Sequence, residues 1–216
     1  MKNYFFYCFS SKCIFVVDID AGAVDIARLR FWLSLVVDEE KPQPLPNLDF
    51  KIMQGNSLLG IPYNSVIDVN ADLKFESYKE KYFKENNPEK KKELKEKINY
   101  YIQKILNTAN EFSSYKIDFD FKLFFSVVYH GDNSGFDIVI GNPPYVQLQK
   151  DGGKLAKLYE KSKYETFERT GDLYSLFYEK GVSLLNEKGV LCYITSNKWM
   201  RASYVSIHNF WLFKLF

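Results

Sequence analysis

Four consecutive residues behind an apolar run, Asn142-Pro143-Pro144-Tyr145, combine hydrogen-bond acceptors, rigidity and an aromatic face. The two prolines fix the backbone and remove two amide donors, leaving carbonyl oxygens as the groups the loop can offer. Asn142 adds a side-chain carbonyl and Tyr145 a ring. That set suits an exocyclic amino group on a flat ring: two acceptors hold the NH₂ while the ring stacks on the tyrosine. Methylating such an amine needs no strong base. Hydrogen bonds to both amine protons pull the nitrogen lone pair out of conjugation and aim it at an electrophilic methyl group supplied by a sulfonium cofactor, so orientation and electrostatics carry the catalysis. In duplex DNA the amino group is paired, and the base must first be flipped out. The plain alternative is a rigid turn after a strand. At an average proline usage of about 5%, this tetrapeptide in this position arises by chance in fewer than roughly one chain in a hundred.

The loop needs a scaffold, and the flanking sequence specifies one. Phe136 to Ile140 is the sharpest strand in the chain and runs directly into Gly141 and Asn142. Ile14 to Ile19 reads as a buried parallel strand whose carboxyl end opens into a site at Asp18 and Asp20. Ala21 to Val37 reads as a helix with an imperfect apolar periodicity through Val24, Ala27, Leu29, Phe31, Leu33 and Leu35. Lys41 to Pro46, with three prolines, is an extended connection, and Phe50 to Met53 is a second short strand ending at Gln54-Gly55-Asn56-Ser57. Asp172 to Asn186 is an amphipathic helix, Asn186 to Gly189 a turn, and Val190 to Thr195 another buried strand. Strands alternating with helices predict an α/β fold with a parallel sheet whose ligands bind at the carboxyl ends of the strands.

Between these parts, Asp72 to Glu111 is dense in Lys and Glu, with Asn87-Pro88 as a cap and first helical position. Leu94, Ile98, Tyr101, Ile102, Ile105 and Leu106 give one helix an apolar face. Because acids nearly balance the lysines, a solvated structural insertion at about residues 65–115 is favoured over a phosphate-binding arm.

Composition sets the outer limits. A net charge of +2 gives no whole-chain footprint for nucleic acid. Aromatics at 18% are high, which fits core packing better than base stacking. Cys8, Cys13 and Cys192 have no C-x-x-C spacing and read as reduced, semi-buried residues; with only His130 and His208 beside them, no metal site is expected. The apolar start is broken by Ser10, Ser11 and Lys12 without a cleavage site, and no apolar run spans a bilayer, so the expected compartment is the cytoplasm.

At the Asn142 loop the chain resembles the amino-methyltransferases that act on DNA, and its flanks narrow the match to the type IIG restriction–modification adenine-specific methyltransferases of the NPPY class. Val17 to Arg30 looks like their second motif and Leu48 to Leu59 is similar to their third; Asp172 to Phe177 and Gly189 to Met200 match the two segments after the catalytic loop. The resemblance covers residues 14–60 and 118–203. It implies a Rossmann-like class I S-adenosylmethionine-dependent methyltransferase sheet. It also implies that Asp18 accepts hydrogen bonds from the cofactor ribose, that Ile19 packs on its adenine, and that Asn56 and Ser57 contact the adenine edge. The implied acceptor is a flipped-out adenine in double-stranded DNA, held by Asn142, Pro143, Pro144 and Tyr145.

The sequence departs from this family at both ends. The glycine loop of the first motif belongs upstream of Asp18, yet Met1 to Cys13 contain no glycine. The resemblance stops at Tyr204, before any target-recognition domain, and Val205 to Phe216 is an aromatic tail. The expected organisation is a non-matching segment 1–13, a partial catalytic domain 14–204 and a non-matching tail 205–216. An incomplete sheet predicts poor solubility, no transfer by the isolated chain, and a complementing polypeptide as a partner. The alternatives are a non-catalytic fragment, or methylation of RNA adenine or of a protein glutamine.

Overall fold

A run of β-branched residues favours extended backbone, and two such runs separated by a helix pair in parallel through a right-handed crossover. The computed structural model, which describes residues 13–37, 47–62, 69–130 and 134–196, has two such parallel pairs. It divides into two compact units, Met1–Phe125 and Ser126–Phe216. The expected connection Lys41 to Pro46, the first twelve residues, and Asn197 onward lie outside the described residues.

In the first unit, β1 (Val16–Asp18) pairs in parallel with β2 (Ile52–Gln54), with Asp18 opposite Gln54. Helix α1 (Ala21–Val36) joins them, capped by Asp20, whose carboxylate accepts the Ala23 amide. Val24, Leu48 and Ile52 form a small core under this crossover, joined by Ala27, Phe31 and Trp32. Helices α2 (Val69–Lys84) and α3 (Pro88–Phe112) follow as a hairpin. The Asn87 side chain accepts the Glu89 and Lys90 amides, and Pro88 opens α3, as the sequence predicts. Ile98, Ile102, Ile105 and Leu106 are buried, so the expected apolar face is the packed face.

The hairpin anchors the turn ahead of β2. The Tyr82 hydroxyl donates to the Asp49 carboxylate, and Lys95 Nζ lies 3.0 Å from the same group. Phe50, at φ +60°, tucks its ring edge-on to Tyr82. Beyond α3 the chain runs extended through Ile117 and Phe119 into the short α4 (Phe121–Phe124), capped by Asp120. A Cβ on Gly55 would lie 2.2 Å from Phe119 Cβ, so only glycine fits where β2 ends.

In the second unit, a 3₁₀ turn at Ser126–Val128 precedes β3 (Phe136–Gly141), which pairs in parallel with β4 (Leu185–Tyr193). Phe136 faces Leu185 and Ile138 faces Val190, so Asp137 alone stands opposite Asn186 to Gly189. The expected turn is therefore a bulge, stitched by a 2.7 Å bond from Asn186 Nδ2 to Asp137 Oδ1. Helix α6 (Tyr174–Leu184) packs on one side of this pair, where a Cβ on Gly181 would meet the Tyr193 hydroxyl at 2.6 Å. Helix α5 (Lys150–Glu160), absent from the sequence expectations, opens on three left-handed residues, Asp151, Gly152 and Gly153.

Several expectations of burial are corrected. Ile138 and Ile140 are 64% and 74% exposed, and Val190 and Ile194 are also exposed, so β3 and β4 are covered on one face only. In the first unit Ile19 is exposed, and so are Leu29 and Leu33, which lie on the side of α1 away from Val24, Ala27 and Phe31. Among the described residues each sheet has two strands, and in the second unit α6 packs against one side of the pair. Cys13 and Cys192 are exposed rather than semi-buried. No described helix is long and apolar enough to cross a membrane.

The close contact at Gly55 gives a stability test. Gly55→Ala is expected to lower unfolding stability in urea by about 1–3 kcal/mol through overpacking against Phe119. Gly152→Ala, at φ +71° with nothing within 4 Å of its Cβ, should show only the backbone strain of about 1–2 kcal/mol.

Candidate functional site

The carboxyl ends of β1 and β2 bring Asp18 and Asn56 together through strand pairing. The Gly55 amide donates to the Asp18 carbonyl at 2.9 Å, which sets Asn56 beside the end of β1. The exposed Asp18 carboxylate accepts the Asp20 amide at 2.8 Å. Ile19 is 67% exposed and its carbonyl takes the Gln54 side-chain amide at 3.3 Å. Asn56 Oδ1 accepts the Leu58 amide at 3.0 Å, and Ser57 is half-buried beside it. The end of this strand pair thus offers a carboxylate, an exposed aliphatic face and a carboxamide. Such a set fits a nucleoside: the acid can accept from a diol, the aliphatic face covers a flat ring, and the amide reads its edge.

A group not singled out in the sequence reading holds this corner. The Asn56 amide donates to Asp118 Oδ1 at 3.2 Å, and the Ile61 amide to the buried Asp120 Oδ2 at 3.0 Å. The signal was the alternation Ile117-Asp118-Phe119-Asp120, with both apolar members buried.

In the second unit, β3 delivers its chain end to the Asn142 loop, and the ladder continues one step beyond the strands, with the Ile194 amide donating to the Gly141 carbonyl at 3.1 Å. Pro143 is buried; Asn142 and Pro144 are exposed. Tyr145 is 52% exposed, its hydroxyl donating to the Ile194 carbonyl at 3.0 Å. Its ring stands at 84° to the buried Tyr174 ring, 6.3 Å between centroids. The loop's exit is fixed by the Leu173 amide on the Val146 carbonyl and the Leu148 amide on the Gly171 carbonyl. One face of a ring is thereby held steady at the end of a strand, beside carbonyl acceptors.

Tyr178 and Tyr193 support the segment that takes the Tyr145 hydroxyl. Tyr178 Oη and Thr195 Oγ1 are 2.7 Å apart, and the Tyr178 and Tyr193 rings are tilted against each other. Burial, with a smaller contribution from Tyr178, pushes the Tyr193 phenol up to about 12. Tyr174 belongs to the expected helix without a role in the sequence reading. Tyr178 carried no signal there at all. Among the described residues no three His, Cys, Asp or Glu side chains lie close enough to hold a metal ion.

Comparison with known proteins places this geometry in context. Residues 12–214 match the family model described as Eco57I restriction-modification methylase. The chain is 39% identical over 69 residues to the type II methyltransferase M.BstVI of Geobacillus stearothermophilus and 36% identical over 69 residues to M.PaeR7I of Pseudomonas aeruginosa. Each match covers 32% of this chain and 12% of the relative. It is 32% identical over 71 residues to the type II restriction enzyme and methyltransferase RM.Eco57I of Escherichia coli, covering 32% of this chain and 7% of that protein. The chain therefore spans a small part of the curated relatives it matches. No solved structure matches it.

Two phenols, the buried Tyr82 and the half-buried Tyr193, make a pH test. Tyr193 is raised to about 12, and Tyr82 likewise, by burial and its bond to Asp49. The folded state keeps these protons where an unfolded tyrosine loses them near 10. Their contribution to stability is complete below pH 10 and is lost as pH rises towards about 12. Ultraviolet titration should show a late-ionising class of phenols that shrinks in Tyr193→Phe.

Proposed function

This chain belongs to the Eco57I restriction-modification methylase family, and on that premise we propose that it carries the cofactor and acceptor residues of an adenine-specific DNA methyltransferase in a restriction–modification or phage-defence system. The fold is read as part of a Rossmann-like class I methyltransferase sheet, and the compartment as the cytoplasm. The observation that carries the reading is Tyr145, a half-exposed ring at the end of β3 fixed by both its hydroxyl and its edge.

Asn142 and the Pro143 carbonyl accept the two protons of the adenine amino group, and the flipped base stacks on Tyr145. Asp18 receives the ribose hydroxyls of S-adenosylmethionine, Ile19 covers its adenine, and Asn56 and Ser57 meet the adenine edge. The bound cofactor supplies an electrophilic methyl group. Tyr145 is held from behind, so stacking requires little reordering of the ring, which is the source of orientation. Pro144 keeps the loop from relaxing away from the strand end. The acid–base demand is small, which agrees with a loop that contains no titratable group other than the Tyr145 phenol.

The test is incubation of the chain with methyl-labelled S-adenosylmethionine and mixed-sequence duplex DNA, followed by nucleoside analysis. Label is expected in N6-methyladenine once a complementing polypeptide is present, and there Asn142→Ala and Tyr145→Ala should each cut transfer by at least about a hundredfold, the scale of losing a positioned transition-state contact. Label only in cytosine, RNA or protein glutamine would sink the adenine-DNA reading. A parallel reaction adds the polypeptide encoded beside this gene. Transfer that appears only with it supports a complementing partner, whereas transfer by the chain alone overturns the expectation of an inactive fragment.

A further inference from the structure

We infer that Asp118 is a positioning residue for cofactor recognition, holding the Asn56 corner in the conformation that meets the adenine; this rests on the reading of Asn56 as a cofactor contact. The segment Gly55 to Ile61 is fixed by the later segment Tyr115 to Phe125 at four places. Phe119 fills the space a Gly55 side chain would need, Asp120 accepts the Ile61 amide, and the Tyr115 hydroxyl donates to the Gly60 carbonyl at 3.0 Å. The fourth is Asp118 Oδ1, which accepts the Asn56 amide at 3.2 Å.

These four contacts differ in kind. Phe119 and Asp120 are buried and belong to the core, whereas Asp118 is exposed and reaches the loop only at Asn56. An exposed carboxylate adds little to a core. On a single loop amide it fixes the direction of the residue that carries that amide. The Asn56 side chain already bonds forward to Leu58, so its carboxamide is oriented from two sides, by Asp118 through the backbone and by Leu58 through Oδ1. Removing the carboxylate frees the backbone of Asn56 while Phe119 still pins Gly55 beside it. Its action on a ligand is therefore indirect, through Asn56.

The experiment is calorimetric binding of S-adenosylhomocysteine and S-adenosylmethionine to the full chain. Asp118→Ala is expected to weaken both by about tenfold, the scale of one charge-assisted hydrogen bond. Asp118→Asn keeps a carbonyl acceptor and should bind within about threefold of the parent, since a neutral acceptor retains part of that bond. Because Asp118 acts through Asn56, the Asp118→Ala, Asn56→Ala pair should bind no more weakly than the weaker single variant. Circular dichroism and the thermal midpoint should match the parent for all of them. Unchanged binding in Asp118→Ala, additive losses in the pair, or loss of folding in Asp118→Ala each overturn the inference. Failure of the parent chain to bind either ligand, alone and with the polypeptide encoded beside its gene, overturns the cofactor reading instead.

Discussion

The first unit depends on one close approach, Gly55 against Phe119. At this point β2 must stop and turn, and the ring of a residue from far along the chain occupies the position a side chain would take. Because the ring is buried, the turn cannot drift outward without opening the core. The amide of Gly55 is then directed at Asp18, and the next residue is set beside the end of β1. Strand pairing alone would fix only the register. The aromatic wedge fixes where the backbone goes once the register has run out.

The second unit solves the same problem with polar contacts. After Gly141 the loop has lost its ladder partners, and two prolines have removed amide donors that could replace them. Order is restored from outside the loop by Ile194, which takes the Tyr145 hydroxyl, and by the short antiparallel bridge between Gln147 and Asp172. In both units a segment that comes later in the chain positions the residues at a strand end. A parallel pair requires this, because its crossover brings distant sequence to the ends of its strands.

Much of this was legible in the sequence, where the determinants are local. Asn87-Pro88 marks a helix start because a cap and a missing amide are properties of neighbouring residues. The strand leading to Asn142 is evident from its β-branched run. What was not legible depends on other elements. Leu29 and Leu33 have the apolar character of packed residues, yet nothing in α1 states which of its two apolar faces receives a partner. Asp118 resembles any solvated acid until the Asn56 amide is found beside it. The three left-handed residues opening α5 contain one aspartate as well as two glycines, and a glycine pair alone signals only a turn.

The one-sided covering of β3 and β4 has a kinetic consequence. Ile138 and Ile140 on β3, Val190 on the paired β4 and Ile194 just beyond its end leave exposed apolar surface. Folding of the unit proceeds at a rate independent of concentration, whereas encounter between two such surfaces grows with its square. Dilution therefore favours the folded chain and concentration favours association, with the crossover set by this surface rather than by the depth of the core. Ile138 and Ile140, which make β3 recognisable in the sequence, are thus also side chains through which copies of the chain would meet.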